Sequence, residues 1–397
     1  MSNAHWLSDT PLRPPSHRPP PPPSSGPKLR GALLGCGFIA ENGHLPAYRA
    51  QAESQLPLEI VAIAEPNAAR RAKASQLVPS AILYEDPDQL LANEAHRLDY
   101  VDIATPPYDH ARLTHLALDK GLHVLCEKPM ATSPADARAM LEHAQQAKRV
   151  FFPCHNYKHA PVVKAVKQVL ESGLIGKVNL VTLHTFRNTH AKGVSEWRPD
   201  WRRERKYSGG GIAMDHGAHT FYLAFDWLGG YPSAITAKMS TTNVTQAGPT
   251  NFDTEDNFSC TMTFPEGIAS AHLTWTAGVR KVIYTIQGSH GAIRVEDDDV
   301  EVAVMASRNA SSRDVNAGAA KKVSWELKKE QVASEWMDAG HSVWFRSLFE
   351  QFKTAIETKE YVGREAKDGL RCIELIATAY ASAQDGCREL PLTTGDR

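Results

Sequence analysis

With 397 residues the chain exceeds one ordinary core, and at roughly 100 to 200 residues per domain it predicts two domains. Hydrophobic residues make up 42% and charged residues 22%, a globular balance, while 44 Lys+Arg against 45 Asp+Glu leave a formal net charge of -1. A chain this neutral has no long-range field to gather nucleic acid or an anionic membrane, so a small neutral or locally anionic ligand is expected.

Residues 1–28 form a predicted tail, because the segment 11–27, PLRPPSHRPPPPPSSGP, is too rich in proline and too poor in apolar side chains to bury a core. From residue 29 short β-rich runs alternate with amphipathic segments: LRGALLG, a helix to about Ala50, LEIVAIAE, a helix over AARRAKASQL, AILYE, a short helix, DYVDIAT, a helix over DHARLTHLALDKG, HVLCEK, a helix over PADARAMLEHAQQAK, and RVFFPCH. That rhythm predicts βαβ units and a doubly wound parallel sheet over 29–155. After a helix at VVKAVKQVLESG the period shortens to two in KVNLVTLHTFR, AITAKMSTTN, DNFSCTMTFPEG, IASAHLTWT, KVIYTIQGSHGAIRVE and VEVAVMA, which predicts a mainly antiparallel sheet with one covered and one open face. Helices at SVWFRSLFEQFKTAIETK and AKDGLRCIELIATAYASAQDG close a second domain, 156–397, and pack beside one or both sheets. The class is therefore α/β plus α+β. The six cysteines have neither disulfide-like nor metal-like spacing, no apolar run reaches the roughly 18 to 20 residues of a membrane span, and no signal pattern opens the chain. A cytoplasmic protein without metal, membrane or nucleic-acid partner is expected.

Gly35-Cys36-Gly37-Phe38-Ile39-Ala40 follows an apolar strand and opens a helix, the context in which GxGxxA binds a dinucleotide: one glycine turns tightly, the second admits the pyrophosphate, and the small third residue lets helix meet strand. The helix N-terminus supplies the anion site of such a Rossmann unit. Glu65 ends the next strand, where a carboxylate accepts both ribose hydroxyls and repels a 2′-phosphate, pointing to NAD with NADP as the alternative. Arg70 and Arg71 could neutralise a phosphate, although a solvated helix face is the better account of residues a full turn into the helix. Thr105, Pro106, Pro107 and His110 lie at the sheet's carboxyl edge, as do Glu127 and Lys128, a charged pair where apolar residues are the norm; Lys128 could polarise a substrate oxygen or merely cap the sheet. Gly209-Gly210-Gly211 would allow close approach of a ligand, and Asp215 and His219, spaced i and i+4, would share a helix face, so that Asp215 could orient a proton-transferring His219. His216 would point elsewhere. Trp197, Trp201 and Arg202 supply the indole and guanidinium groups that stack on sugars and fork onto anions.

The order GCGFIA, TPPYDHARLTHLALDKGLHVLCEKPMA, HNYKHAP, WRRERKYSGGGIAMDHGAHTFYLAFDWLGG resembles the Gfo/Idh/MocA family of NAD(P)-dependent oxidoreductases, from about Leu29 to Gly386. The resemblance implies a catalytic set of Lys128, Asp215 and His219, a cis Lys128–Pro129 bond, and cofactor contacts from Gly35, Gly37, Phe38, Ile39, Ala40, Glu65, Thr105, Pro106, Pro107, His110, Glu127, Lys128, Asn156, Trp201 and Arg202. Substrate would meet Lys128, Tyr157, Trp197, Arg202, Asp215 and His219. Lys158 and His159 depart from the family's Arg and aromatic residue. The implied reaction moves a hydride between NAD(P) and a secondary hydroxyl or ketone of a sugar, polyol or sugar derivative, in a homodimer or homotetramer built through the second sheet. Family members that are NAD-dependent glycosidases with internal redox, or non-catalytic NAD-binding regulators, define the alternatives.

Overall fold

The computed structural model describes residues 28–53, 58–242, 244–245, 248–249, 252–305, 325–331 and 342–392. Apart from Lys28, the predicted tail lies outside the described residues. Six strands, β1 (Leu29–Leu34), β2 (Leu58–Ala64), β3 (Ile82–Tyr84), β4 (Tyr100–Ile103), β5 (His123–Cys126) and β6 (Phe151–Pro153), form a parallel sheet in the order β3-β2-β1-β4-β5-β6. The reversal of strand order between β1 and β4 opens a crevice at their carboxyl ends, where doubly wound folds bind ligands. Between the strands run α1 (Leu45–Glu53), α2 (Ala68–Leu77), α3 (Pro87–Glu94), α4 (His110–Asp119) and α5 (Pro134–Ala147). Local chemistry starts several of them. The Asn67 side chain accepts from Arg70 N at the head of α2, and Ser133 accepts from Asp136 N ahead of Pro134 at the head of α5.

The chain then passes through α6 (Pro161–Glu171), β7 (Val178–Phe186) and the helices α7 (Arg205–Ser208), α8 (Ile212–Asp215) and α9 (Gly217–Leu228). Next come β8 (Ala234–Ser240), a small ribbon of β9 (Val244–Thr245) and β10 (Gly248–Pro249), then β11 (Asn257–Phe264), β12 (Gly267–Thr274), β13 (Lys281–Gly288), β14 (Gly291–Glu296), β15 (Asp299–Met305) and β16 (Trp325–Gln331). The last elements are α10 (Ser342–Thr358), α11 (Arg364–Gln384) and β17 (Leu390–Pro391). The second sheet has the order β16-β15-β14-β13-β7-β12-β11-β8-β17 and is antiparallel except where β7 meets β12. Alternate residues of its central strands are buried, with Phe258, Leu273, Tyr284 and Ile286 among the core and Leu180 and Ile268 exposed on the other side. The period of two read from the sequence therefore corresponds to one covered and one open face.

The two C-terminal helices divide their work. α11 packs against α9 and β8 as well as α5 and β6. α10 returns to the first sheet, where Phe345, Leu348, Phe349 and Phe352 join a core cluster with Tyr48, Tyr100 and Phe152. Residues beyond 156 thus complete the core of the first sheet.

Inside that cluster lies a charged triad with no solvent exposure at its centre. His44 Nδ1 is 2.7 Å from Asp102 Oδ2 and Nε2 is 2.8 Å from Glu127 Oε1, joining the helical turn after β1 to β4 and to the end of β5. Burial disfavours the imidazolium, but the two carboxylates outweigh it and raise the His44 pKa to about 10. A raised histidine pKa stabilises the fold fully below the unfolded value near 6.5, and that contribution is lost as pH rises toward about 10. Melting temperature should therefore decline from pH 6.5 to pH 10 in wild type more steeply than in His44→Gln; parallel profiles in a calorimetric pH series would contradict the triad's charge state.

Candidate active site

The crevice is the mouth of a cavity of about 760 Å³ that runs from the β1–β2 edge, past the ends of β4 and β5, to α8, α9 and the end of β7. At the β1 end, Gly35 has φ +91°, and a Cβ there would lie 3.0 Å from Ala104 O. A Cβ on Gly37 would meet nothing within 4 Å, so the second glycine leaves open space above the turn. Phe38 and Ile39 line the cavity; Ala40 does not, being fully buried at the start of a π-helical turn, Ala40–His44. Its small size serves packing alone.

Glu65 lines the cavity with its carboxylate fixed by two backbone amides, Cys36 N to Oε2 at 2.7 Å and Asn67 N to Oε1 at 2.9 Å. Each oxygen retains a lone pair for a ribose hydroxyl. The solvated reading of Arg70 is corrected: its guanidinium is buried, donating to Cys36 O at 2.6 Å and pairing with Glu41 at 2.6 Å, where it braces the glycine turn. Arg71 is engaged with Glu65 O, Pro66 O and Glu85. Thr105, Pro106 and Pro107 form part of the wall. His110, expected at the cofactor, stands behind that wall, its ring nitrogens 2.9 Å from Pro129 O and 2.8 Å from Thr105 O, where it ties two wall segments together.

At the other end the ends of β5 and α8 meet. The Lys128–Pro129 bond is cis, and Lys128 Nζ lies 2.8 Å from Asp215 Oδ1 and 2.9 Å from Asp215 O. Arg202 Nε is 3.4 Å from the other carboxylate oxygen. Burial alone would raise the Asp215 pKa, but Lys128 and Arg202 outweigh it and hold the carboxyl well below the usual range. His219 lines the same end, stacked on Tyr157 with ring centroids 3.8 Å apart, and its Nδ1 is 2.6 Å from Tyr222 Oη. Burial, with the nearby Lys128 and His216, keeps His219 well below 6.5, so its imidazole is neutral at neutral pH.

The expectation that Asp215 orients His219 does not hold. The helix breaks at His216 between α8 and α9, so the i,i+4 spacing does not run along one helix, and the carboxylate is taken by two cations. Tyr222 holds His219 instead. His216, set aside in the sequence, lines the cavity with Nε2 3.9 Å from Asp215 Oδ2, and burial pushes its pKa down to about 3. The three glycines also serve a different purpose: a Cβ on Gly210 would lie 2.0 Å from Tyr380 Oη and one on Gly211 1.8 Å from Glu255 O. The close approach is to the protein's own chain. Glu255 accepts from Gly211 N at 3.0 Å and Ala213 N at 2.9 Å, capping the short helix that ends in Asp215.

Trp197, Trp201 and Arg202 line the cavity, with the Arg202 guanidinium 4.3 Å from the Trp201 ring centre. Glu127 reaches the wall while bonded to His44, and its second oxygen accepts from Lys128 N at 3.1 Å. Asn156 and Tyr157 line it too. Asn156 Oδ1 and Thr105 Oγ1 are buried without a hydrogen-bond partner. These orphaned polar atoms, the open space over Gly37 and the anchored Glu65 fit a dinucleotide extended along the crevice. Lys158 is committed elsewhere, 2.6 Å from Asp368 and 3.1 Å from Glu365 of α11, and His159 contacts Ser347 at 2.9 Å. The two departures from the family pattern are interior contacts.

Comparison with known proteins matches residues 29–155 to the oxidoreductase family with an NAD-binding Rossmann fold, and residues 163–294 to the Gfo/Idh/MocA C-terminal domain. The chain belongs to the Gfo/Idh/MocA family. This Gfo/Idh/MocA oxidoreductase, whose cofactor is NAD, is similar to D-apiose dehydrogenase of Paraburkholderia graminis, 30% identical over 277 residues, 68% of each chain. It is also similar to D-glucoside 3-dehydrogenase of Escherichia coli, 26% identical over 249 residues, 60% of this chain and 68% of that one. Among solved structures, levoglucosan dehydrogenase in complex with NADH and levoglucosan shares the fold at TM-score 0.74 and 22% identity, over 92% of this chain and 100% of that one.

The contrast between glycines is testable. Gly211→Ala should lower stability by about 1–3 kcal/mol through overpacking against Glu255. Gly37→Ala should leave the melting temperature near wild type while weakening NAD binding. Equal thermal losses in both variants, or unchanged NAD affinity in Gly37→Ala, would contradict the assignment of open space to the second glycine alone.

Proposed function

We propose that this chain is an NAD-dependent dehydrogenase or reductase interconverting a secondary hydroxyl and a ketone on a sugar, polyol or sugar derivative. The observation that carries the reading is that one continuous cavity has Gly37 and Glu65 toward one end and Lys128, Asp215 and His219 at the other. The relatives that act on sugars support the substrate class. NAD is favoured over NADP because Glu65 offers a carboxylate, while Arg70 and Arg71 are already bonded to backbone carbonyls and to Glu41 and Glu85. We assign residues 29–155 to cofactor binding and 156–397 to substrate binding and self-association.

NAD, when bound, supplies the hydride acceptor. His219 is the general base: with Nδ1–H donating to Tyr222 Oη, its neutral ring presents Nε2 to accept the hydroxyl proton. Tyr222 Oη also accepts from Tyr157 N at 3.3 Å, which fixes it as the orienting group. Lys128 is the cation beside the substrate oxygen, stabilising the developing alkoxide, and Asp215 keeps its ammonium in place. In the reverse direction the same groups return the proton to the reduced ketone. This intact acid–base cluster favours turnover over a sensor role, since a sensor needs only the cofactor end.

The exposed apolar residues Leu180 and Ile268 on the open face of the second sheet support a homodimer or homotetramer formed through it. Among the described residues no helix is long and apolar enough to cross a membrane. The six cysteines are unpaired and five are buried, which supports a reducing, cytoplasmic location.

Protein mixed with NAD and a panel of inositols, aldoses, uronic acids and nucleotide sugars should generate reduced-nicotinamide absorbance with one class. His219→Ala should lower the rate by about a hundredfold or more while leaving the NAD dissociation constant unchanged. A full-rate variant would overturn the assignment, and sugar release without net NADH would favour internal redox. Because His219 must be deprotonated to act, the oxidation rate should be level at neutral pH and fall only as pH drops well below 6.5. A limb near or above 6.5 would assign the proton to another group.

A further inference from the structure

The substrate end of the cavity carries more positive charge than a proton transfer needs. In the paired strands β7 and β13, Phe186 stands opposite Lys281. One step outward come Arg187 and Arg280, and both line the cavity. Both cations act electrostatically on the Tyr157 hydroxyl, with Arg187 also a hydrogen-bond partner, and the Tyr157 ring is stacked on His219. The Arg187 guanidinium is therefore one aromatic ring away from the proposed base.

Among the described residues, acidic groups do not balance Arg187. Of the carboxylates that line the cavity, Glu65, Glu85, Asp86 and Asp109 belong to the crevice beside β2, β3 and α4, and Glu127 is bonded to His44. Among the described residues that leaves Asp215 at the substrate end, already shared by Lys128 and Arg202. Arg187 has no carboxylate within ion-pair distance among the described residues. Its Nη1 donates to two neutral acceptors, Phe186 O at 2.9 Å and Lys281 O at 3.3 Å. Those carbonyls fix the guanidinium plane while leaving its charge uncompensated. His216 and His219, its neighbours along the wall, are neutral and add no further positive charge. A guanidinium anchored in this way is pre-organised for the planar, forked recognition of a carboxylate or phosphate, whereas a neutral polyol would leave a half-buried cation without its best partner.

We propose that the substrate is an anionic sugar, a monosaccharide bearing a carboxylate or a phosphate, whose anion is held by Arg187 with Arg280 flanking while the reacting hydroxyl lies at Lys128 and His219. This rests on the dehydrogenase reading and narrows it. The relatives named above act on apiose, glucosides and levoglucosan, so the charge of this wall marks a different choice within the fold.

The test uses matched sets: glucose, glucuronate and glucose 6-phosphate, then galactose, galacturonate and galactose 6-phosphate. Each is followed by NAD reduction and, separately, by calorimetric titration into the NADH-loaded protein, with Arg187→Gln alongside. An anionic member should exceed its neutral partner in kcat/KM or in affinity by about tenfold or more, and the carboxylate and phosphate arms identify which anion. Arg187→Gln should raise KM or Kd for that anion by about ten- to a hundredfold, with little change in kcat and none in NAD affinity. Preference for the neutral members, no anion binding in any set, or an anion preference untouched by Arg187→Gln would overturn the proposal. If no sugar reduces NAD, the dehydrogenase reading fails, and the titrations still decide the anion site by the same criteria.

Discussion

The ion pair between Lys128 and Asp215 joins the two halves of the molecule at the point where chemistry is proposed. Lys128 follows a strand of the parallel sheet, and Asp215 ends a short helix that Glu255, from the head of a second-sheet strand, holds by its first amides. A charge at the carboxyl edge of a sheet is costly unless a partner meets it, and this partner arrives from 87 residues away in sequence. Around it the remaining side chains take their places: Arg202 on the free carboxylate oxygen, His219 on Tyr222, Tyr157 on the His219 ring.

Two buried charge networks support this junction from outside the cavity. His44, between Asp102 and Glu127, anchors the strand ends beneath Lys128, and Glu127 reaches on to the Lys128 amide. On the far side, His155 hydrogen-bonds Glu365 and Lys158 pairs with Glu365 and Asp368 of the last long helix, so the segment carrying Asn156 and Tyr157 is fixed by buried polar contacts that solvent hardly screens. Losing either network would shift the walls of the cavity without removing a group that touches substrate.

Much of this architecture was legible in the sequence because it is written in short-range patterns. The period-two and helical rhythms marked the two sheets and most helices, and the GxGxxA turn, Glu65 and the Glu127-Lys128 pair announced themselves by position at strand ends. What escaped depends on contacts distant in sequence. Arg70 looked like a solvated helix residue because nothing local says that the glycine turn offers it two carbonyls. The i,i+4 spacing of Asp215 and His219 assumed an unbroken helix, whereas the break at His216 and the pull of Lys128 separate their roles. Tyr222 sat inside an apolar helix and carried no signal beyond its hydroxyl. Arg187 was read as the last residue of an alternating strand, and only the register of β7 with β13 brings it beside Arg280.

The central claim is that two partnerships, Lys128 with Asp215 and His219 with Tyr222, act separately on one substrate oxygen. Nitrogen NMR of histidine-labelled protein, comparing His219 in wild type, Asp215→Asn and Tyr222→Phe, tests it most directly. The account predicts a neutral ring at pH 7 with the proton on Nδ1, a tautomer unchanged by Asp215→Asn and shifted by Tyr222→Phe. An imidazolium at pH 7, or a tautomer that follows Asp215 and ignores Tyr222, would contradict it.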